Sequence, residues 1–321
     1  MKIAVLDDYL GLSQQVADWR PLANRAEISV IDRPLPTVSA AAEALAEFDI
    51  ICTLRERTPF PAELIRALPK LRYLCVTGKR YDTVDIAAAA EQQITVSNTP
   101  VTGAGSGAVV ELTWGLILAL ARNIAVEDRL MREGGWQHFA GMTLRGKTLG
   151  VLGLGALGSG VARIGAAFGM ETIAWSPNLT SDRAVAAGVG LVSKTELFEK
   201  SDVLSLHLAL APSTAGIVGA GDLALMKPSA YLVNTARAVL LDEGALITAL
   251  RERRIAGAGL DVFSIEPLPA DHEIRQLPNV VLTPHLGYFT HEMLASYYRD
   301  AIENIGAFLD GRPIRVVSGN A

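Results

Sequence analysis

Residues 148–168, TLGVLGLGALGSGVARIGAAF, constrain this chain more than any other stretch. The apolar run 149–154 predicts a short buried strand. Glycines follow at Gly153, Gly155 and Gly158, spaced G-x-G-x-x-G. Apolar residues then recur at helical spacing: Leu157, Val161, Ile164, Ala167 and Phe168. Strand, glycine turn and helix in that order form the setting that a dinucleotide fingerprint requires. Gly153 permits a tight turn, Gly155 leaves the backbone open to a pyrophosphate, and Gly158 allows close helix–strand packing. The helix start, with Ala156 and Leu157 after Gly155, offers free N–H groups and a positive dipole end to phosphates. The alternative is a glycine-rich turn that binds nothing; the flanking strand and helix favour the fingerprint.

The rest of the chain is long enough to carry such a unit and a second one. Its 321 residues suggest two domains. Half of them are hydrophobic and 20% are charged, a globular composition. The formal net charge is −5 and no basic run stands out, which argues against nucleic acid and against an anionic membrane surface. Cys52 and Cys75 lie in apolar strand-like runs and read as reduced core residues. The opening MKIAVLDDYL is too short an apolar run for a signal peptide, and 112–121 is too short to span a bilayer. A soluble, cytoplasmic protein is expected.

Residues 1–100 alternate short β-branched runs (3–6, 28–31, 50–54, 71–76 and 94–96) with helical patterns such as 40–46 and 62–68. This alternation means βαβ units and a parallel sheet. No strand there is followed by the glycine fingerprint. Around residue 100 the texture changes: Asn98-Thr99-Pro100 and the patch 103–107 read as a hinge, followed by an apolar helix over 108–122. A second α/β series follows, with strands predicted at 149–154, 171–175, 203–208, 231–234, 257–261 and 280–283. Helices are predicted between them at 181–187, 194–200, 223–226 and 243–253. Six strands with the fingerprint on the first match a doubly wound dinucleotide domain. A last helix, 292–309, is expected to return to the first domain. The expected fold is therefore α/β, with two doubly wound parallel-sheet domains. A Rossmann-type dinucleotide-binding domain (101–287) is inserted into a flavodoxin-like substrate domain (1–100 plus 288–321).

Ligands of parallel α/β sheets sit beyond the strand carboxyl ends. Three chemically capable residues follow such ends: Arg237, Glu266 and His285. Hydride delivery to a ketone leaves negative charge on oxygen, and His is suited to supply the proton near neutral pH. A carboxylate beside it favours the charged ring and fixes its tautomer. An Arg grips a substrate carboxylate bidentately. Taken singly, Arg237 reads equally as a solvated loop charge, Glu266 as part of a turn and His285 as a cap beside Pro284. Together, at three strand ends of one sheet, they read as a site. His272-Glu273 and His291-Glu292 lack a second His at metal spacing, so no metal centre is expected.

Further motifs carry a resemblance. Gly146-Lys147-Thr148-Leu149-Gly150 leads into the fingerprint. Pro212-Ser213-Thr214, Met226-Lys227-Pro228 and Asn234-Thr235-Ala236-Arg237 follow, then Gly259-Leu260-Asp261-Val262-Phe263, Glu266-Pro267-Leu268 and Thr283-Pro284-His285-Leu286-Gly287. In these the chain resembles the D-isomer-specific 2-hydroxyacid dehydrogenase family. The resemblance implies hydride transfer between NAD or NADP and the C2 of a D-2-hydroxy acid or 2-oxo acid. It implies Arg237 on the substrate carboxylate, Glu266 as the His partner and His285 as the acid/base. It places Asp261 near the nicotinamide amide, and His207, Thr214, Thr235, Ala236 and Gly287 near the cofactor. A cleft between the domains that closes on substrate, and a homodimer built on the cofactor domain, are implied as well.

Three departures stand out. Ser176 replaces the acid that usually bonds the ribose hydroxyls, and Arg183 lies farther along, so NAD and NADP both remain open. Ala238 replaces the usual Gly after Arg237. The substrate loop reads Thr77-Gly78-Lys79-Arg80; the backbone N–H groups at Thr77 and Gly78 are expected to hold a carboxylate, with Lys79 and Arg80 adding positive charge. Among rival readings, a nucleotide-sensing binding protein of corepressor type keeps the same fold without turnover.

Overall fold

The computed structural model describes residues 1–100 and 105–317. The chain divides into two compact units, Met1–Ala104 with Thr290–Ala321, and Gly105–Phe289. Residues 103 and 104 of the expected hinge lie outside the described residues.

In the first unit, strands β1 (Lys2–Leu6), β2 (Glu27–Ile31), β3 (Ile50–Thr53), β4 (Tyr73–Val76) and β5 (Thr95–Asn98) make one sheet. All its pairings are parallel and its order is β2-β1-β3-β4-β5, the flavodoxin-like order. β3 and β4 are buried along their whole length, as unbroken apolar runs in a sheet covered on both faces should be. Cys52 and Cys75 are in register across these two strands, buried and unlinked.

The helix His291–Leu309 packs on this sheet: Phe308 stacks on Tyr73 at 4.3 Å. Buried Asn304 donates to the Asn98 carbonyl (2.9 Å) and accepts from Arg315 (2.7 Å). Past the helix, Val316 bridges Ser97 in antiparallel sense. The C-terminal segment thereby covers the β5 edge, which would otherwise present unpaired backbone groups.

In the second unit, strands β6 (Thr148–Leu152), β7 (Glu171–Trp175), β8 (Gly190–Leu191), β9 (Val203–Leu206), β10 (Tyr231–Asn234), β11 (Gly257–Leu260) and β12 (Val280–Leu282) form a second parallel sheet. Its order is β12-β11-β10-β9-β6-β7-β8. Counted from β6, this is the Rossmann order with one strand added at the far edge. The strand order reverses between β6 and β9.

Two differences from the sequence reading are instructive. The sheet has seven strands rather than six, because β8 is a two-residue pair of exposed residues with no apolar run to announce it. The helix expected from residue 108 begins at Gly105, so Gly105 and Gly107 are helical rather than linker. Weak helix propensity is overridden where a long apolar helix is packed, and Trp114, Leu116, Ile117 and Leu120 of this one are buried. Among the described residues no single helix is long and apolar enough to cross a membrane.

Candidate active site

An open parallel sheet offers its crevice where the strand order reverses, and here the β6–β9 reversal carries the glycine loop. Gly153 follows β6 with φ +103°, and a Cβ there would lie 2.6 Å from the Leu208 backbone nitrogen. A Cβ on Gly158 would run into the Gly153 carbonyl oxygen. Gly155, the residue before the helix Ala156–Ala167, has nothing within 4 Å of its Cβ position. Two glycines are thus required by the protein's own packing, while the middle one leaves backbone open to a ligand. Ala156 and Leu157 follow in the first turn of that helix. This cradle fits a dinucleotide pyrophosphate, which would receive the N–H groups and the positive dipole end.

His207 follows β9 beside Gly153. It is buried, and Nε2 lies 2.8 Å from Ser205 Oγ. Among the described residues Nδ1 has no hydrogen-bond partner. Burial pushes the ring pKa down to about 4, so it is neutral at physiological pH.

Arg237, Glu266 and His285 converge. His285 Nδ1 lies 2.7 Å from Glu266 Oε2, and the two side chains keep 27% and 33% exposure, sheltered yet open to a small molecule. Glu266 Oε1 accepts the Phe263 N–H at 2.9 Å. Burial pushes the Glu266 carboxyl up, but the bond and charge from His285, the Phe263 N–H and the charge of Arg237 outweigh it and hold it below its ordinary value. Arg237 therefore acts electrostatically on the same carboxylate that pairs with the imidazole. His285 has φ +55°, uncommon for a residue with a side chain, and its ring meets Tyr288 edge-on at 5.5 Å.

Two clamps position these groups, and the sequence reading had given neither its role. Asn234 accepts the Ala236 N–H and donates to the Arg237 carbonyl, both at 3.0 Å, closing the turn that presents Arg237. Asn at the head of a turn was the available signal. Asp261 was expected near the nicotinamide amide. Its oxygens accept from Thr283 Oγ1 (2.6 Å), Leu286 N–H (2.7 Å) and Gly287 N–H (2.9 Å), so the carboxylate ties down the segment that carries His285.

Other residues expected near the cofactor also have internal partners. The Thr214 hydroxyl donates to the Ala209 carbonyl at 2.8 Å and folds its own loop, and the Thr235 hydroxyl pairs with Thr113 at 2.8 Å. Both are committed internally, because a buried hydroxyl needs a partner. Ser176 follows β7 and is partly exposed. Ala238 starts a short 3-10 turn without a positive φ, so the missing glycine costs nothing there.

In the first unit the Thr77 N–H donates to the Thr53 carbonyl (3.3 Å) and the Gly78 N–H to Thr99 Oγ1 (2.7 Å). The two donors expected to hold a carboxylate are already engaged. Arg80 is paired with Asp82 at 3.0 Å, which weakens its expected contribution of charge. Arg55, which the sequence reading passed over, lies across Gly78 and donates to Tyr297 Oη at 3.1 Å. Among the described residues no cluster of His, Cys, Asp and Glu could hold a metal.

The glycine geometry separates two variants. Gly155→Ala should keep the melting temperature and lose dinucleotide affinity, whereas Gly158→Ala should cost stability, by about 1–3 kcal/mol as overpacking does. Equal effects of the two on melting would contradict the assignment. His207 gives a pH test. In the unfolded chain it takes up a proton near its ordinary value of about 6.5, and in the fold only near 4. The unfolded state therefore binds more protons across that window, and stability falls as pH is lowered through it, by about 3 kcal/mol in all. Urea unfolding of His207→Gln should show a correspondingly smaller acid loss than the parent; the same loss in both would contradict this.

Comparison with known proteins shows the family. Residues 114–287 match the family model for the NAD binding domain of D-isomer specific 2-hydroxyacid dehydrogenases. The chain is 40% identical to the glyoxylate reductase of Aeropyrum pernix over 259 residues, 78% of this chain and 77% of that one. It is 36% identical to the D-3-phosphoglycerate dehydrogenase of Synechocystis over 98% of its length, and spans 55% of that longer protein. The crystal structure of phosphoglycerate oxidoreductase from Vibrio cholerae superposes with a TM-score of 0.92 at 34% identity, covering 97% of this chain and 99% of that one. The chain belongs to the D-isomer specific 2-hydroxyacid dehydrogenase family, oxidoreductases that act on CH–OH groups with a nicotinamide dinucleotide.

Proposed function

We propose that the protein interconverts a small 2-oxo acid and the corresponding D-2-hydroxy acid. His285 is the proton donor and acceptor, Glu266 its partner, and Arg237 the anchor for the substrate carboxylate. The observation that carries this reading is the 2.7 Å contact between His285 and Glu266, with Arg237 acting on the same carboxylate. Because Nδ1 is engaged, Nε2 is the ring nitrogen left for the substrate oxygen. The bound dinucleotide supplies or accepts the hydride. In reduction, protonated His285 quenches the charge that develops on the carbonyl oxygen; in oxidation, the neutral ring takes the hydroxyl proton. Glu266, held ionised, stabilises the charged ring and orients it. Arg237 grips the carboxylate bidentately and polarises the carbonyl beside it. The loop shaped by Gly153 and Gly158 receives the pyrophosphate at Gly155 and the helix start behind it, with His207, Ser176 and Ala236 around the cofactor. The names of the relatives, glyoxylate reductase and D-3-phosphoglycerate dehydrogenase, support a small 2-oxo or 2-hydroxy acid as the substrate class.

A homodimer belongs to the same reading. The helix Ile124–Arg132 buries none of its residues within the chain. Ile124, Met131, Trp136 and Phe139 are exposed on it and just after it, the kind of apolar set that marks a protein contact.

His285→Ala is expected to lower kcat by about 100- to 10,000-fold, the usual contribution of a positioned acid or base, while dinucleotide affinity is kept. Glu266→Gln should lower kcat less and move the acid limb of its pH profile. Full turnover in His285→Ala, measured with a panel of 2-oxo acids, would overturn the assignment. Light scattering is expected to return the mass of two chains; the mass of one would contradict the dimer.

A further inference from the structure

We propose that the cofactor site prefers the 2′-phosphorylated dinucleotide, and that Arg183 binds the 2′-phosphate. The inference rests on the reading of the second unit as a nicotinamide dinucleotide site. In Rossmann units an acid about twenty residues past the glycines bonds the ribose hydroxyls, and an Arg nearby accommodates a 2′-phosphate instead. Here Ser176 stands directly after β7. The Trp175 carbonyl accepts the Gly153 N–H at 2.9 Å, so Ser176 adjoins the first glycine of the loop. A serine there neither repels a phosphate nor binds ribose as an anion would.

Seven positions on, Arg183 sits in the helix Ser181–Ala186, whose preceding residue Thr180 caps it. The distance along the chain leaves the reach of this side chain open. In the structure the guanidinium turns back: Nη1 donates to the Asn178 carbonyl at 3.2 Å and Nη2 to the Leu154 carbonyl at 3.4 Å. Leu154 lies between Gly153 and Gly155. The cation therefore joins the end of β7 to the glycine loop, the side on which a Rossmann unit would hold the adenosine ribose of a dinucleotide.

Among the described residues its partners are carbonyls, not carboxylates, so its charge is not cancelled by an ion pair. Two carbonyls occupy two of five guanidinium N–H groups, leaving donors in the fork geometry that suits a phosphate. The one acid between Ser176 and Arg183 is Asp182, in the first turn of the helix.

The test measures binding as well as turnover. Calorimetry with 2′,5′-ADP and 5′-AMP, probes with and without the 2′-phosphate, is run on the parent, Arg183→Ala and Ser176→Asp. Kd values for NADPH and NADH are read by protein fluorescence. The parent should bind the 2′-phosphorylated member of each pair at least about 10-fold more tightly, the scale of one charge-assisted contact. Arg183→Ala should lose about 10- to 100-fold for that member and little for the other. Ser176→Asp should also lose it selectively, without touching the Arg183 side chain. A parent that prefers NADH and turns over with it would overturn this inference while leaving the dehydrogenase reading intact. An Arg183→Ala loss equal for both probes would likewise overturn it, reducing the residue to a tie between loops. Binding of neither dinucleotide would instead overturn the reading on which it rests.

Discussion

Burying a carboxylate is tolerable only where its oxygens are filled, and Asp261, 1% exposed, meets that condition with donors from a single short segment. Thr283, Leu286 and Gly287 all bond to it, and they bracket His285. Burial raises the Asp261 pKa while these donors, and the charge of His285, pull it down. The bonds thus serve two ends: they make the buried acid acceptable, and they hold His285 at a left-handed φ. Such backbone costs on the order of 1 kcal/mol or more and persists only where its surroundings over-determine it. The Glu266 contact depends on that hold, because the ring can meet the carboxylate only from where the segment places it.

The same economy of parts recurs at β10. The Asn234 side chain closes the turn that carries Arg237, and the Asp261 N–H donates to the Asn234 carbonyl at 3.0 Å. Adjacent parallel strands therefore pass their register directly to the turns at their ends. A rigid sheet with short, internally bonded turns is what keeps side chains from distant parts of the chain in one arrangement, as preorganised catalysis needs. The glycine loop beside it serves a different purpose. Two of its glycines satisfy the fold's own close approaches, and the middle one keeps a surface clear.

Much of this was legible in the sequence, for physical reasons. Buried parallel strands are continuous apolar runs, so β1, β7 and β10 could be read nearly to the residue, and the glycine spacing announced both turn and helix. Arg237, Glu266 and His285 could be named because ligands gather at strand ends. What could not be read depends on partners remote in the chain. The Thr77 and Gly78 donors looked available until Thr53 and Thr99 were seen to take them. The positioning role of Asp261 left no trace either, because nothing in a linear string says that its oxygens are engaged by residues 283–287. The reach of Arg183 stayed open, since a six-residue helix that folds its side chain back leaves no periodic trace. β8, two exposed residues, has no pattern at all.

The central claim is that His285 is held with Nδ1 on Glu266, leaving Nε2 for chemistry. Nitrogen-15 NMR of the imidazole rings reads this directly, without substrate or cofactor. The account predicts that the neutral His285 ring carries its proton on Nδ1, with Nε2 bare. A ring found chiefly as the Nε2–H form, or exchanging evenly between the two, would contradict it.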